Sequence, residues 1–252
     1  MWTFKPKEVF AVNQNLEVEV INTLGSSFPI LKIDNFYKRP DLVRRLVLQS
    51  PAPIWKETSK RSRNFVDYVD CRHYISMDLQ EPSWRIREVS LKYLGAELLQ
   101  PVPELVTNVF KWIEPKALKG LPYPHSDPFS FAALVYLNTN EESLGGTSFY
   151  KNKALNLNYM PLNKEAEGKV YIEANQEDGT SYFHKNVDDF WELTHQVPMA
   201  FNRLIVYPGR LFHGAWQESS WFSEYYRINQ VFFFPKVKYH SNSFYVSLPK
   251  GD

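Results

Sequence analysis

His125-Ser126-Asp127 is the sharpest chemical feature of the chain. On an extended backbone, residues two apart send their side chains to the same side. An imidazole and a carboxylate at that spacing can therefore reach one metal ion together. A second histidine from a distant strand would complete a set of two histidines and one carboxylate. Such a set leaves three coordination positions open, which suits non-haem Fe(II) oxygenases. His213 is the candidate, because it follows an apolar strand and a Pro208-Gly209 turn in RLIVYPGRLFH; taken alone, it reads as a hydrogen-bonded core or surface histidine. Alone, the His-x-Asp pair is weak. With 6 histidines and 28 acidic residues in 252, roughly 0.7 such matches arise by chance. Pro122, Pro124 and Pro128 make a surface turn the plain alternative.

Arg227 shifts the balance. It lies 14 residues past His213 (227 − 213) and opens the apolar segment RINQVFFF. A buried unpaired charge is costly, so this guanidinium calls for an anion. A structural salt bridge would serve, and so would the carboxylate of a cosubstrate gripped by two parallel hydrogen bonds. Arg210 is the competing cation, but its place in the Pro-Gly turn predicts a solvated side chain. His73, His184, His195 and His240 are first read as surface, core or loop residues, and Trp216 as packing.

The elements that must position these residues follow from patterning. Residues 16–33 carry two short apolar runs broken by Gly25-Ser26-Ser27, which predicts two strands and a turn. In PDLVRRLVLQ, Leu42, Val43, Leu46 and Val47 form a helical stripe ended by Pro51 and Pro53. Residues 52–78 read as irregular. Residues 82–99 read as a second helix with Pro82 near its start, and 104–114 fit a short helix or a strand equally. From 121 onward, apolar runs separated by Pro, Gly and Asn suit an all-β core. Residues 151–200 read as a polar insert or lid, with a helix near 186–195.

Composition narrows the classes. The net charge is +1, so there is no whole-protein electrostatic reason to expect nucleic acid or an anionic membrane surface. A single cysteine, Cys71, excludes an intramolecular disulfide and a cysteine-rich zinc site. No segment approaches the roughly 18 uncharged apolar residues of a membrane span, and the N-terminus has no apolar signal core. A cytoplasmic protein of one 252-residue domain is expected. Its parts are N-terminal strands and supporting helices (1–120), the β-core (121–235) and a tail (236–252).

The order His-Ser-Asp, LVYLN, GGTSFY, a strand leading to His-Gly-Ala, and a basic residue on the last core strand resembles the prolyl-4-hydroxylase-type 2-oxoglutarate oxygenases. The likeness covers about 121–235, and FPILKIDNFYKRPDLVRRLV resembles the family's N-terminal start. More narrowly, the chain resembles a bacterial group within that superfamily. The resemblance implies a mainly β (α+β) fold, a double-stranded β-helix or jelly roll with flanking N-terminal helices. It puts Fe(II) on His125, Asp127 and His213, and the distal carboxylate of 2-oxoglutarate on Arg227. Tyr136, in LVYLN, matches a tyrosine that hydrogen-bonds that carboxylate in some relatives. Gly145 and Gly146 match a turn where backbones approach closely. Dioxygen and a small-molecule or peptide substrate complete the implied partners. Two spacings depart from prolyl hydroxylases: the 86 residues from Asp127 to His213 (213 − 127), and the 14 from His213 to Arg227.

Other readings compete. A cupin-like module could bind metal without catalysis, and Arg227 discriminates against it because such a binder needs no buried cation. An interaction protein with a coincidental triad is a second rival. A zinc hydrolase is a third, although His-x-Asp…His is not a His-Glu-x-x-His helix and no general base follows it.

Overall fold

The computed structural model describes residues 5–22, 28–49, 79–99, 124–127, 130–161, 190–216 and 227–240, and the backbone alone of 69–75 and 104–110. The described chain is mainly β, with antiparallel sheets and few helices. Its strands are β1 (Glu17–Ile21), β2 (Ile30–Asp34), β3 (Val69–Ile75), β4 (Ala96–Leu99), β5 (Glu104–Phe110), β6 (Phe131–Tyr136), β7 (Gly146–Asn152), β8 (Trp191–Pro198), β9 (Leu204–Pro208), β10 (His213–Trp216), β11 (Arg227–Phe234) and β12 (Lys236–Tyr239). The helices are α1 (Pro6–Val9), α2 (Pro40–Gln49) and α3 (Gln80–Leu94). None of the described helices is long and apolar enough to cross a membrane.

Seven strands form one sheet in the order β1-β2-β9-β6-β11-β5-β3, and three form a second in the order β10-β7-β8. Every strand pair in them is antiparallel. The large sheet is covered on both faces, which explains why β6 and β9 read as unbroken apolar runs and are buried at every position. One face meets the small sheet. Across that gap Phe149 packs edge-on to Tyr207 with ring centroids 5.4 Å apart. Tyr136 Oη lies 2.7 Å from Thr147 Oγ1, and Arg227 Nη2 donates to Gly146 O at 2.7 Å. The other face shares one buried cluster with the helices, in which Leu42, Val43, Leu46 and Val47 of α2 and Ile86, Val89 and Leu94 of α3 join Ile228, Phe232 and Phe234.

The α2 stripe forms as the spacing predicts, and Arg44 anchors the helix by donating to Leu137 O (2.9 Å) and Glu142 Oε1 (2.8 Å). The second helix ends earlier than its apolar content suggests. Gly95 adopts φ 63° and its N–H returns to Leu91 O and Ser90 O, a left-handed cap that stops the helix. The chain then enters β4, which pairs with β12 in what reads from sequence as a tail.

Pairing partners that local sequence does not reveal decide one open reading and correct two others. Residues 104–110 are a strand between β11 and β3. Residues 69–75 are its edge neighbour rather than irregular chain. The helix expected near 186–195 is β8 from Trp191 onward, because its residues pair with β7 along its full length. Residues 186–189, and most of the expected insert, lie outside the described residues.

Candidate metal centre

Antiparallel partners that sit directly opposite share a face of the sheet. His125 bridges His213, with both N–H groups donating to the opposite carbonyl at 2.9 Å. His213 pairs with Phe149 on β7, and Phe149 with His195 on β8. One cross-strand row thus runs His125, His213, Phe149, His195. Asp127 enters from beside this row, its N–H donating to Gly209 O at 2.7 Å. The Pro208-Gly209 turn therefore positions two ligands: it leads the chain to His213, and its carbonyl orients Asp127.

The donor atoms of His125, Asp127 and His213 lie within 4.8 Å of one another, a geometry that could hold a metal ion. His213 Nε2 is 3.4 Å from Asp127 Oδ2, and His125 Nε2 is 3.9 Å from Asp127 Oδ1. His213 Nδ1 lies 2.7 Å from Leu211 O. A carbonyl oxygen only accepts, so Nδ1 carries a proton in either charge state, and when the ring is neutral the lone pair is the one on Nε2, toward the cluster. This backbone contact fixes the tautomer that ligation requires. The rings of Tyr207 and His125 flank the His213 ring with centroids at 4.7 Å and 4.5 Å.

Burial works against charge on both Asp127 and His213, but their mutual attraction wins. The Asp127 carboxyl is held below its ordinary range by His213 and His125 despite the burial. The His213 imidazolium is favoured above its ordinary range by Asp127 and the Leu211 carbonyl despite the same burial. The donor set thus fits a divalent cation: a carboxylate that stays ionised, and a His213 imidazole whose proton a metal would displace to solvent.

Arg227 is 3% exposed. Besides Gly146 O, its Nη1 lies 3.0 Å from the Asn229 side-chain oxygen once that amide is turned to suit both neighbours. Burial lowers its pKa, while Tyr136 and Tyr207 favour the cation. Tyr136 is buried against Thr147, and burial pushes its phenol up to about 12. The structure thus groups Arg227 with Tyr136, and groups the three candidate ligands separately. Tyr207, which sequence reasoning passed over, packs its ring on His213 at 4.7 Å, and burial, reinforced by Asp127, raises its phenol well above the ordinary range. Its signal was hidden inside the apolar run RLIVYPG, where a tyrosine reads as packing.

Gly146 is obligatory for contact rather than turn chemistry. A Cβ there would lie 2.0 Å from Val197 O and 2.8 Å from Met199 N. Arg210 is half-buried instead of solvated. Its Nε donates to Met160 O at 2.8 Å and its guanidinium lies over the Tyr159 ring, because residues 157–161 fold back along Leu211. His195 sits in the metal row rather than on a lid. His240 Nε2 lies 3.1 Å from Glu97 Oε2. Trp216 pairs with Gly146 at the end of the small sheet. The side chain of His73, and all of His184, fall outside the described residues.

Comparison with known proteins adds the following. A model of a family of unknown function (DUF6445) matches residues 116–221, a stretch that contains all three residues of the cluster. No curated protein matches the chain. Among solved structures, the chain is similar to a non-heme alpha-ketoglutarate dependent carbocyclase, SnoK, from nogalamycin biosynthesis. The two share 15% identity and a TM-score of 0.43, over 84% of this chain and 81% of that one.

Proposed function

We propose that this protein is an Fe(II)- and 2-oxoglutarate-dependent oxygenase, a single domain whose core is a double-stranded β-helix. The observation that carries the reading is the His125, Asp127, His213 cluster, with its donor atoms together and the His213 tautomer fixed by Leu211 O. Two histidines and one carboxylate on a β-scaffold are the ligand set of non-haem Fe(II) oxygenases. The strand order supports the fold. β5, β6, β9 and β11 lie in the large sheet, while β7, β8, β10 and the His125 bridge lie in the small one. That is four and four, as a jelly roll requires.

In this reading His125, Asp127 and His213 hold the iron. Arg227, with Tyr136, binds the distal carboxylate of 2-oxoglutarate. Iron and 2-oxoglutarate held there would supply dioxygen activation for oxidation of a substrate C–H bond, with succinate and carbon dioxide as co-products. The chain itself contributes position. The small sheet aims His213, the Gly209 carbonyl orients Asp127, and Phe149, Tyr207 and the helix-backed large sheet exclude water. The substrate is an amino acid, a peptide or a small metabolite.

The test is anaerobic titration with Fe(II) and 2-oxoglutarate, followed by succinate measurement in air. Tight binding of both and succinate release are expected, and Asp127→Ala abolishes them. Metal binding without 2-oxoglutarate binding identifies a cupin-like binding module instead. Metal binding that survives Asp127→Ala removes the triad.

A further inference from the structure

We propose that Arg210 is a positioning residue for the metal cluster. It clamps residues 158–160 against the turn at 208–211, and so aims the Leu211 carbonyl at the His213 ring. The proposal rests on the metal cluster of the reading above and not on its cosubstrate.

Between Gly209 and His213, carbonyls that meet the cluster alternate with carbonyls that do not. Gly209 O accepts from the Asp127 N–H at 2.7 Å, and Leu211 O lies 2.7 Å from His213 Nδ1. Arg210 O instead accepts from the Met160 N–H at 2.8 Å, and Phe212 O from the Tyr150 N–H at 2.9 Å. The cause is peptide geometry. In a trans peptide the C=O and the following N–H point in opposite directions, and no peptide bond among the described residues is cis. The Phe212 N–H donates to Asn158 O at 3.0 Å. The Leu211 carbonyl of the same peptide unit therefore points away from residues 158–160, toward the His213 ring. The strap at 158–160 thus sets the acceptor that orients the imidazole.

Arg210 supplies the side-chain bonds of the strap to the turn. Its Nε donates to Met160 O at 2.8 Å, and its Nη2 donates to the same oxygen. The guanidinium lies over the Tyr159 ring, 5.5 Å from its centroid, and that ring packs edge-on against Phe28 with centroids 4.8 Å apart. Hydrogen bonds from a charged donor are stronger than neutral ones. The two main-chain bonds of the strap to the turn survive any substitution at 210, but the charged clamp does not. Residue 210 also lies directly between Gly209 and Leu211, so a shift of its backbone moves both carbonyls that meet the cluster.

The test uses the full chain, comparing wild type with Arg210→Met and Arg210→Lys. Methionine keeps an unbranched stem over Tyr159 and removes the donors, whereas lysine keeps the charge without the fork. Nitrogen NMR of the metal-free protein, at alkaline pH where the ring is neutral, reads the His213 tautomer. Calorimetry reads the Mn(II) affinity. The wild type is expected to hold the single Nδ1–H tautomer. Arg210→Met is expected to populate both tautomers and to bind Mn(II) about ten-fold more weakly, the usual loss for an outer partner of a metal ligand. Arg210→Lys falls between the two. Either a wild-type tautomer or a Mn(II) affinity within about two-fold of wild type in Arg210→Met overturns the proposal. Joined to a lowered melting temperature, the first of these makes Arg210 a support of the fold alone. Should Arg210→Met not fold, wild-type values of both readouts in Arg210→Lys overturn the proposal equally. Wild-type protein that shows the single tautomer but binds no Mn(II) overturns the metal reading, while the effect of Arg210 on His213 is still decided by the tautomer.

Discussion

The two histidines of the cluster share one cross-strand row and are held in opposite ways. His213 has a side chain only 6% exposed, a tautomer locked by Leu211 O, and aromatic rings against it. His125 is tied through its backbone to His213, while its side chain is 49% exposed. Asp127 sits with the buried partner, its side chain 13% exposed and closer to His213 than to His125. One half of the site is therefore set before a metal arrives. The other half is a ring half exposed to solvent. A preorganised pair loses little conformational entropy on binding, whereas an exposed side chain must be ordered. The contrast separates a buried, fixed pair, His213 with Asp127, from a half-exposed third residue, His125.

The comparison can be broken at several levels. The largest effect belongs to the platform under the fixed half. Gly146→Ala drives a methyl into the Val197 carbonyl and the Met199 amide. Both are backbone, so neither can swing aside. A loss on the order of 3 kcal/mol is expected in urea unfolding. A change below about 1 kcal/mol would mean that β7 and β8 part easily and that the platform is not rigid.

Among the ligands, His213→Ala and Asp127→Ala are each expected to weaken Mn(II) binding by about a hundred-fold or more, beyond the usual cost of losing a single outer partner of a metal ligand. His125→Ala should cost about ten-fold, since water can take the vacated, solvent-facing place. Equal losses at His125 and His213 in calorimetry would erase the distinction between fixed and adjustable ligands.

Acidity separates the same residues by sign. The folded-state pKa of His213 is raised, so its ion pair with Asp127 stabilises the metal-free protein below the unfolded imidazole value. That stabilisation is lost as pH rises through the folded value. Metal binding needs the neutral imidazole, so it runs the other way. Mn(II) affinity should fall up to about ten-fold per pH unit per titrating histidine on going from pH 8 to pH 6, while metal-free stability rises. The Asp127 contribution persists until the pH falls through its lowered folded value. Thermal melts with and without Mn(II) at the two pH values measure both slopes. Parallel slopes would show that His213 does not titrate against the metal.

The smallest effect probes the cation rather than the ligands. Arg227→Lys keeps the charge but cannot grip Gly146 O and a carboxylate together. 2-Oxoglutarate affinity should drop about ten-fold with Mn(II) affinity unchanged. Loss of metal binding in this variant would join the two groups into one unit.

The grouping of His125 with Asp127 was readable because spacing alone settles that geometry. His-x-Asp on extended chain puts both side chains on one side whatever the fold, and the apolar stripe of α2 needs only the helical period. His213 stood out only together with Arg227 and the order of the surrounding motifs, because its place after an apolar run alone fits an ordinary core or surface histidine. Elements whose identity depends on a partner were not readable. Glu104–Phe110 has an ambiguous period and becomes a strand because β11 and β3 lie beside it. Trp191–Pro198 looks like part of a polar helix, and its pairing with β7 makes it a strand. Arg210 looks solvated until residues 157–161 return to cover it.

The sequence by itself determined which residues could ligate a metal and that a β-core would carry them. Side-chain type and period-two alternation are local properties, so they need no knowledge of distant chain. Only the tertiary structure decided that His125 and His213 are neighbours, that His213 Nδ1 meets Leu211 O, that the Tyr207 ring packs on His213, and that the Tyr136 hydroxyl meets Thr147. Each of these depends on strand register. A shift of one residue would turn the same side chains to the opposite face.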